Sequence, residues 1–140
     1  MSSRFSDFNR ALMEDMRAHG GRATSGPFKG RDVLILHTKG AKSGEERETP
    51  LAYFPDNGQY VVIGSKGGAP THPSWYHNLV ANPKVTIEVL GETIPVTARD
   101  TAGDERDRLF AKVGAKYPGF LEYQQKTSRT IPVVVLEPAK

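Results

Sequence analysis

The chain has no cysteine in its 140 residues. Disulfides, thiolate metal sites and thiol nucleophiles are therefore excluded, and the composition fits a reducing compartment. No apolar run approaches the roughly 20 residues that a membrane-spanning helix needs. The N-terminus, MSSRFSDFNRALMEDMRAHGG, lacks the continuous apolar stretch of a signal peptide. The expected location is the cytoplasm, with peripheral contact at the inner face of a membrane as the variant that an amphipathic N-terminal helix would allow. An excess of one charge is also missing. Nineteen basic residues stand against sixteen acidic ones, for a formal charge of +3, although the isoelectric point is about 9.2. The acidic residues are interspersed among the basic ones, which speaks for local anion binding and against a nucleic-acid face.

Several catalytic signatures are lacking too. No G-x-x-x-x-G-K-[ST] phosphate loop, no G-x-G-x-x-G opening a βαβ unit, no G-x-S-x-G elbow and no H-E-x-x-H pairing occurs. P-loop, Rossmann, serine-hydrolase and zincin chemistry are excluded on that basis. His37, His72 and His77 lie in different elements, read as capping or hydrogen-bonding residues, and no metal is expected.

A length of 140 residues suits one domain with its own core. Residues 1–31 read as an amphipathic helix and linker, and 32–140 as the main domain. In the helix, Phe5, Phe8, Leu12 and Met16 recur at spacings of three and four. That stripe packs on the domain or lies against a membrane or partner. DVLILHTKG is a strand apolar on both faces. RETPLAYF and QYVVIGS flank the turn signal Asp56-Asn57-Gly58. KVTIEVL places Val85, Ile87 and Val89 on one face, and TIPVTARD does the same with Ile94, Val96 and Ala98. Pro95 predicts an edge position or a bulge. Thr101 is a candidate cap for a helix from about Ala102 to Lys116, FLEYQQKT resumes a helix, and IPVVVLEP is a final buried strand. The expected fold is α+β and mainly β: a split barrel of about six mostly antiparallel strands with peripheral helices.

Two loops attract attention. HTKGAKSGEERETP sets Lys39, Lys42, Ser43 and Arg47 around Gly40 and Gly44, which are the parts of an anion pocket or of a solvated charged hairpin. In VIGSKGGAPTHPSWYHNLVANP, Lys66 sits in a glycine loop ahead of a helix in which Trp75/Leu79 and Tyr76/Val80 are spaced four apart. The helix N-terminus and the lysine both offer positive potential, and two such loops at the ends of neighbouring strands could face one another. Tyr117, Phe120 and Tyr123, three apart, form either a pocket wall or an aromatic staple. Arg129 reads as a surface or ion-pair residue.

The stretches TKGAKSGEERETPLAYF, GSKGGAPTHPSWYHNLVANPKV and YPGFLEY with TSRTIPVVVLEP resemble, in this order, the deazaflavin (F420)-dependent nitroreductase and F420H2-dependent quinone reductase family. The resemblance spans about Val33 to Pro138. It implies an FMN-binding split-barrel-like fold and coenzyme F420, in reduced form, as hydride donor. By motif position it implies cofactor contacts at Ala41, Lys42 and Ser43; at Arg47, Glu48, Thr49, Pro50, Leu51 and Ala52; at Ile63, Gly64, Ser65 and Lys66; and at Ser74, Trp75, Tyr76, His77 and Asn78. Tyr117, Phe120 and Tyr123 are implied at the substrate; a tyrosine hydroxyl or a water would protonate the product, with Tyr117 or Tyr123 as the candidate catalytic residue. Where relatives carry a third tyrosine, this chain has Phe120, which removes one hydroxyl from the expected substrate wall. The implied acceptor is a planar, electron-poor molecule such as a quinone or nitroaromatic. A non-catalytic carrier of F420 or flavin is the competing expectation.

Overall fold

The computed structural model describes residues 4–24, 26 and 28–138, with side chains from Asp7 onward. The predicted role of the Phe5 side chain lies outside the described residues. Seven strands form one sheet: β1 (Val33–Lys39), β2 (Glu46–Ala52), β3 (Phe54–Asp56), β4 (Gln59–Ile63), β5 (Lys84–Val89), β6 (Glu92–Asp100) and β7 (Val133–Pro138). Their order is β2-β1-β5-β6-β7-β4-β3, and every pairing is antiparallel. Helices α1 (Arg4–Ala18), α2 (Ser74–Ala81), α3 (Gly103–Lys116) and α4 (Gly119–Gln125) surround it.

The stretch expected to be one strand, RETPLAYF, divides at Tyr53. β2 is one edge of the sheet and β3 is the other, yet only Tyr53 separates them. The two edges must therefore meet at this residue, and the sheet is forced to curl into a barrel that stays open beyond it. Tyr53 is buried, and its N–H donates to the Asp32 carbonyl at 3.0 Å.

The barrel interior collects one face of each strand: Leu34 and Leu36, Val62, Ile87 and Val89, Val96, Val134 and Leu136, closed by Trp75 and Leu79 of α2. Each such aliphatic side chain contributes about 1.5–3 kcal/mol when removed from water. The expected inward rows of β5 and β6 are the observed ones, with Val85, Ile94 and Ala98 packed against this core. β1 is buried on both faces because Val33 and Ile35 point outward onto Leu12, Met13 and Met16 of α1. The outer faces of β4 and β7 are covered in the same way by Leu109, Phe110 and Val113 of α3.

Two local expectations are corrected. Thr101 does not cap α3. Its hydroxyl and its N–H both bond the Val133 carbonyl, at 2.7 and 3.1 Å, and Ala102 is the cap; the threonine extends the β6–β7 ladder. Pro95 lies in β6, an interior strand, but the described β7 ladder reaches only Val96↔Pro138. Pro95 pairs with Thr86 of β5 in an unbroken register, so neither the expected edge position nor a bulge is found among the described residues.

Candidate active site

The direction of the strands decides what can meet. Because the sheet alternates, β1 and β4 run the same way, and their C-terminal ends leave from the same end of the barrel. They are not neighbours, contrary to expectation: β5, β6 and β7 stand between them. Helix α2 starts after the loop that follows β4 and crosses to the loop that follows β1.

The β1–β2 loop folds on itself. Gly40 N–H donates to Glu45 O (2.8 Å) and Gly44 N–H to Gly40 O (2.9 Å), while Ser43 Oγ accepts the Glu45 N–H at 3.1 Å. Gly40 is required by space, since a Cβ there would stand 2.5 Å from Ser43 Oγ. Asn78 on α2 ties the loop to the helix. Its Oδ1 accepts the Ala41 N–H at 2.9 Å, and its Nδ2 donates to Thr38 Oγ1 at 3.3 Å. The side chain is 8% exposed, so both bonds form in a low dielectric where they hold the geometry firmly.

Between loop and helix lies a cavity of about 560 Å³, bordered by Gly40, Ala41, Lys42, Ser43, Arg47, Glu48, Thr49, Ser74, Trp75, His77 and Asn78. All but Gly40 were expected from sequence. The N–H groups of Lys42 and Ser43 have no backbone partner among the described residues, and the Ser43 hydroxyl proton is free to be donated. With the Lys42 ammonium and the Arg47 guanidinium, which lies 3.3 Å from Glu45, they form a set of donors suited to a phosphate or carboxylate. This volume is of ligand size. The donor set and the space therefore fit the anionic portion of F420.

The remaining expected residues form other groups. Pro50, Leu51 and Ala52 continue β2 away from the cavity. Tyr76 points away from it, and its hydroxyl donates to Asp100 Oδ2 at 2.5 Å. Burial first, then that bond and the carboxylate charge, push the phenol up to about 12.

Ile63, Gly64, Ser65 and Lys66 lead into a short 3₁₀ turn, Lys66–Gly68, in which Lys66 takes a left-handed φ of 48° and donates from Nζ to Thr71 Oγ1 at 3.3 Å. Arg129, expected at the surface or in an ion pair, instead holds this loop. It donates to the carbonyls of Gly64 (3.2 Å), Ser65 (2.9 Å) and Ala69 (2.9 Å), and to His72 Nδ1 at 2.9 Å. Burial foremost, then the guanidinium charge, lowers the His72 pKa, so the ring accepts as a neutral imidazole. An arginine that bonds carbonyls leaves no complementary carboxylate in sequence, and no pattern reveals it.

The aromatic trio divides as well. Tyr117 ends α3, packs on Phe54 with centroids 5.3 Å apart, and borders a second cavity of about 180 Å³ with Tyr53, Phe54 and Lys112. Phe120 stands edge-on to Phe54 and to Tyr123. Tyr123 is near the glycine loop: a Cβ on Gly68 would meet its carbonyl at 3.0 Å. None of the three borders the 560 Å³ cavity.

A further cluster was not anticipated. His37, Glu48 and Glu88 bring ligand-type atoms within 4.8 Å of one another. Arg17 bridges the two carboxylates: Nη2 lies 2.7 Å from Glu48 and 2.6 Å from Glu88, and Nε 3.0 Å from Glu88. His37 Nε2 lies 2.6 Å from Glu88 Oε2. The Arg17 bonds, with His37 second, hold Glu88 below the usual carboxylate range against the opposing effect of burial.

Comparison with known proteins adds a second line. Residues 8–138 match the family described as F420H(2)-dependent quinone reductase. An F420H(2)-dependent quinone reductase of Mycobacterium tuberculosis is 45% identical over 106 residues, covering 74% of this chain and 71% of that relative. A solved F420H2-dependent reductase, FDR-A, is similar at 44% identity and a TM-score of 0.69, over 76% of this chain and 95% of its own. A solved domain-swapped dimer is similar at 38% identity and a TM-score of 0.71, over 94% of this chain and 98% of its own.

Proposed function

The chain belongs to the F420H(2)-dependent quinone reductase family, and from that premise we propose that the cavity between the β1–β2 loop and α2 is where it holds its coenzyme while a planar quinone is reduced. The protein is an F420H2-dependent oxidoreductase of split-barrel fold, and reduced F420 is its hydride donor. Bound there, that coenzyme supplies a hydride to an electron-poor acceptor.

The protein's own residues contribute placement. The Lys42 and Ser43 N–H groups, the Ser43 hydroxyl and the Lys42 and Arg47 cations would take the anionic portion. Asn78 fixes the loop against α2, so these donors need no rearrangement when the ligand arrives, which lowers the cost of binding. Trp75, 7% exposed, gives the cavity a rigid apolar wall, and the exposed His77 borders it as well. Tyr123 is the proposed proton source for the reduced acceptor, in preference to Tyr117, which faces the separate small cavity; the support is that the Tyr123 backbone carbonyl adjoins the glycine loop at Gly68. The acceptor class is a quinone, with nitroaromatics as secondary substrates.

The observation that carries this reading is the unpaired donor set around Lys42 and Ser43 beside a space of ligand size. Fluorescence titration of F420 with the protein, repeated with FMN and NADPH, tests it. Selective binding of F420, followed by oxidation of F420H2 with menadione, is the expected result. Binding of FMN in preference, or F420 binding with no turnover on any quinone, would overturn it, the latter in favour of a carrier. No helix among the described residues is long and apolar enough to cross a membrane. Of the described stripe residues, Leu12 and Met16 are buried against the sheet, and Phe8, 6.4 Å from Phe28 between ring centroids, is 41% exposed and available for contact with a lipid surface.

A further inference from the structure

We propose that Arg17, on α1 and outside the cavity, is a positioning residue for coenzyme binding because it holds and neutralises Glu48 in the cavity wall. The inference rests on the reading that F420 occupies the cavity beside Lys42 and Ser43.

Glu48 is in an awkward place. It borders the 560 Å³ cavity together with Lys42, Ser43 and Arg47, where an anion is to be bound. It lies on the edge strand β2, which among the described residues pairs with β1, directly opposite His37 in register. Without Arg17, Glu48 would keep His37 Nδ1 at 3.7 Å, too long for a hydrogen bond, and its charged carboxylate would act in two ways. It would repel the anionic portion of the coenzyme, or it would swing to Lys42 or Arg47 and withdraw a cation from the ligand. Both weaken binding.

Arg17 prevents both. Its Nη2 lies 2.7 Å from Glu48 Oε2 and at the same time 2.6 Å from Glu88 Oε2, while Nε fixes the other Glu88 oxygen at 3.0 Å. Glu88 is anchored in turn by His37 Nε2 at 2.6 Å. The guanidinium therefore has a fixed seat on β5 and shares Nη2 with Glu48, holding that carboxylate on the α1 face of the sheet, where the register with His37 places it. Helix α1 is placed to supply it by Leu12, Met13 and Met16, which bury against Val33 and Ile35. A surface latch that joined helix to sheet would need one carboxylate; this arrangement engages a second, that of Glu48, a residue of the cavity wall.

The test is a mutant cycle read by F420 fluorescence titration, with thermal melts of the free protein alongside. Arg17→Gln is expected to weaken F420 binding about three- to tenfold at low salt, the size of one added Coulomb repulsion near the surface, with the loss shrinking as salt screens it. Glu48→Gln placed in the Arg17→Gln background is expected to restore wild-type affinity, although it cannot restore any stability lost with the latch. If Arg17→Gln binds F420 as wild type does, or if the double variant stays as weak as the single one, the proposal is overturned and the coenzyme site stands. If wild-type protein does not bind F420, the reading of the site falls and this inference with it.

Discussion

Arg129 Nη1 lies 2.9 Å from His72 Nδ1, and the same guanidinium donates to the carbonyls of Gly64, Ser65 and Ala69. Four segments thus converge on one side chain: the end of β4, the glycine loop, the approach to α2 and the approach to β7. Gly64 and Ser65 are buried, so their carbonyls have little access to water if the arginine is lost. Arg129→Met keeps much of the side-chain volume and removes every bond. The variant is expected to lose about 2–4 kcal/mol of stability in chemical denaturation, since buried acceptors left unpaired carry their full desolvation cost. A loss below about 0.5 kcal/mol, the range of an ordinary surface substitution, would show that the guanidinium is not the organiser of this loop.

The His72 contact also gives the fold a pH dependence. The imidazole accepts from Arg129 and must be neutral to do so. Burial and the neighbouring charge lower its folded pKa, while the unfolded ring titrates near about 6.5. Above that pH both states are neutral and the stability is complete. As pH falls below it, the unfolded chain takes up the proton more readily than the native one, and stability declines. The melting temperature should therefore drop between about pH 7 and pH 5, and part of that drop should be absent in His72→Asn, whose Oδ1 accepts without titrating. Parallel pH curves for the two proteins would assign the drop to other groups.

Sequence patterns revealed what depends on local chemistry. The inward rows of β5 and β6 follow from strict alternation, the Asn57-Gly58 turn from the positive φ both residues adopt, and the tight fold of the β1–β2 loop from small residues at Gly40, Ser43 and Gly44. What stayed hidden depends on the curl of the sheet. RETPLAYF has no break in its apolar and polar pattern, yet its two ends lie on opposite edges of the sheet, and Tyr53 marks the join. The same closure separates β1 from β4 by three strands and leaves α2 to bring their loops together. Arg129 and Arg17 were illegible for a related reason: one reaches carbonyls 60 to 65 positions away and an imidazole 57 away, the other a carboxylate 71 positions away, and neither spacing leaves a local mark.

Gly40 offers a test of the loop that leaves the charges in place. Its missing side chain is where Ser43 Oγ folds back, with 2.5 Å to an imagined Cβ. Gly40→Ala would push Ser43 out of its bond to the Glu45 N–H and rotate the Lys42 and Ser43 amides. F420 affinity is expected to fall about tenfold or more, equivalent to about 1.4 kcal/mol, with little change in melting temperature because the loop is exposed. Unaltered affinity would show that these amides do not contact the ligand.

The two lysines expected at the coenzyme are no longer equivalent. Lys42 borders the cavity and has no ion pair among the described residues, so its ammonium is available to an incoming anion. Lys66 is outside that wall and already donates to Thr71. Removal of a charge-assisted contact costs about 1–3 kcal/mol. Lys42→Ala should therefore weaken F420 binding by that amount and flatten its salt dependence, while Lys66→Ala should do less. Each variant can be titrated with F420 at two ionic strengths. A larger loss at Lys66 than at Lys42 would move the anion site from the β1–β2 loop to the glycine loop held by Arg129, and the coenzyme would then lie closer to Tyr123 than to Ser43.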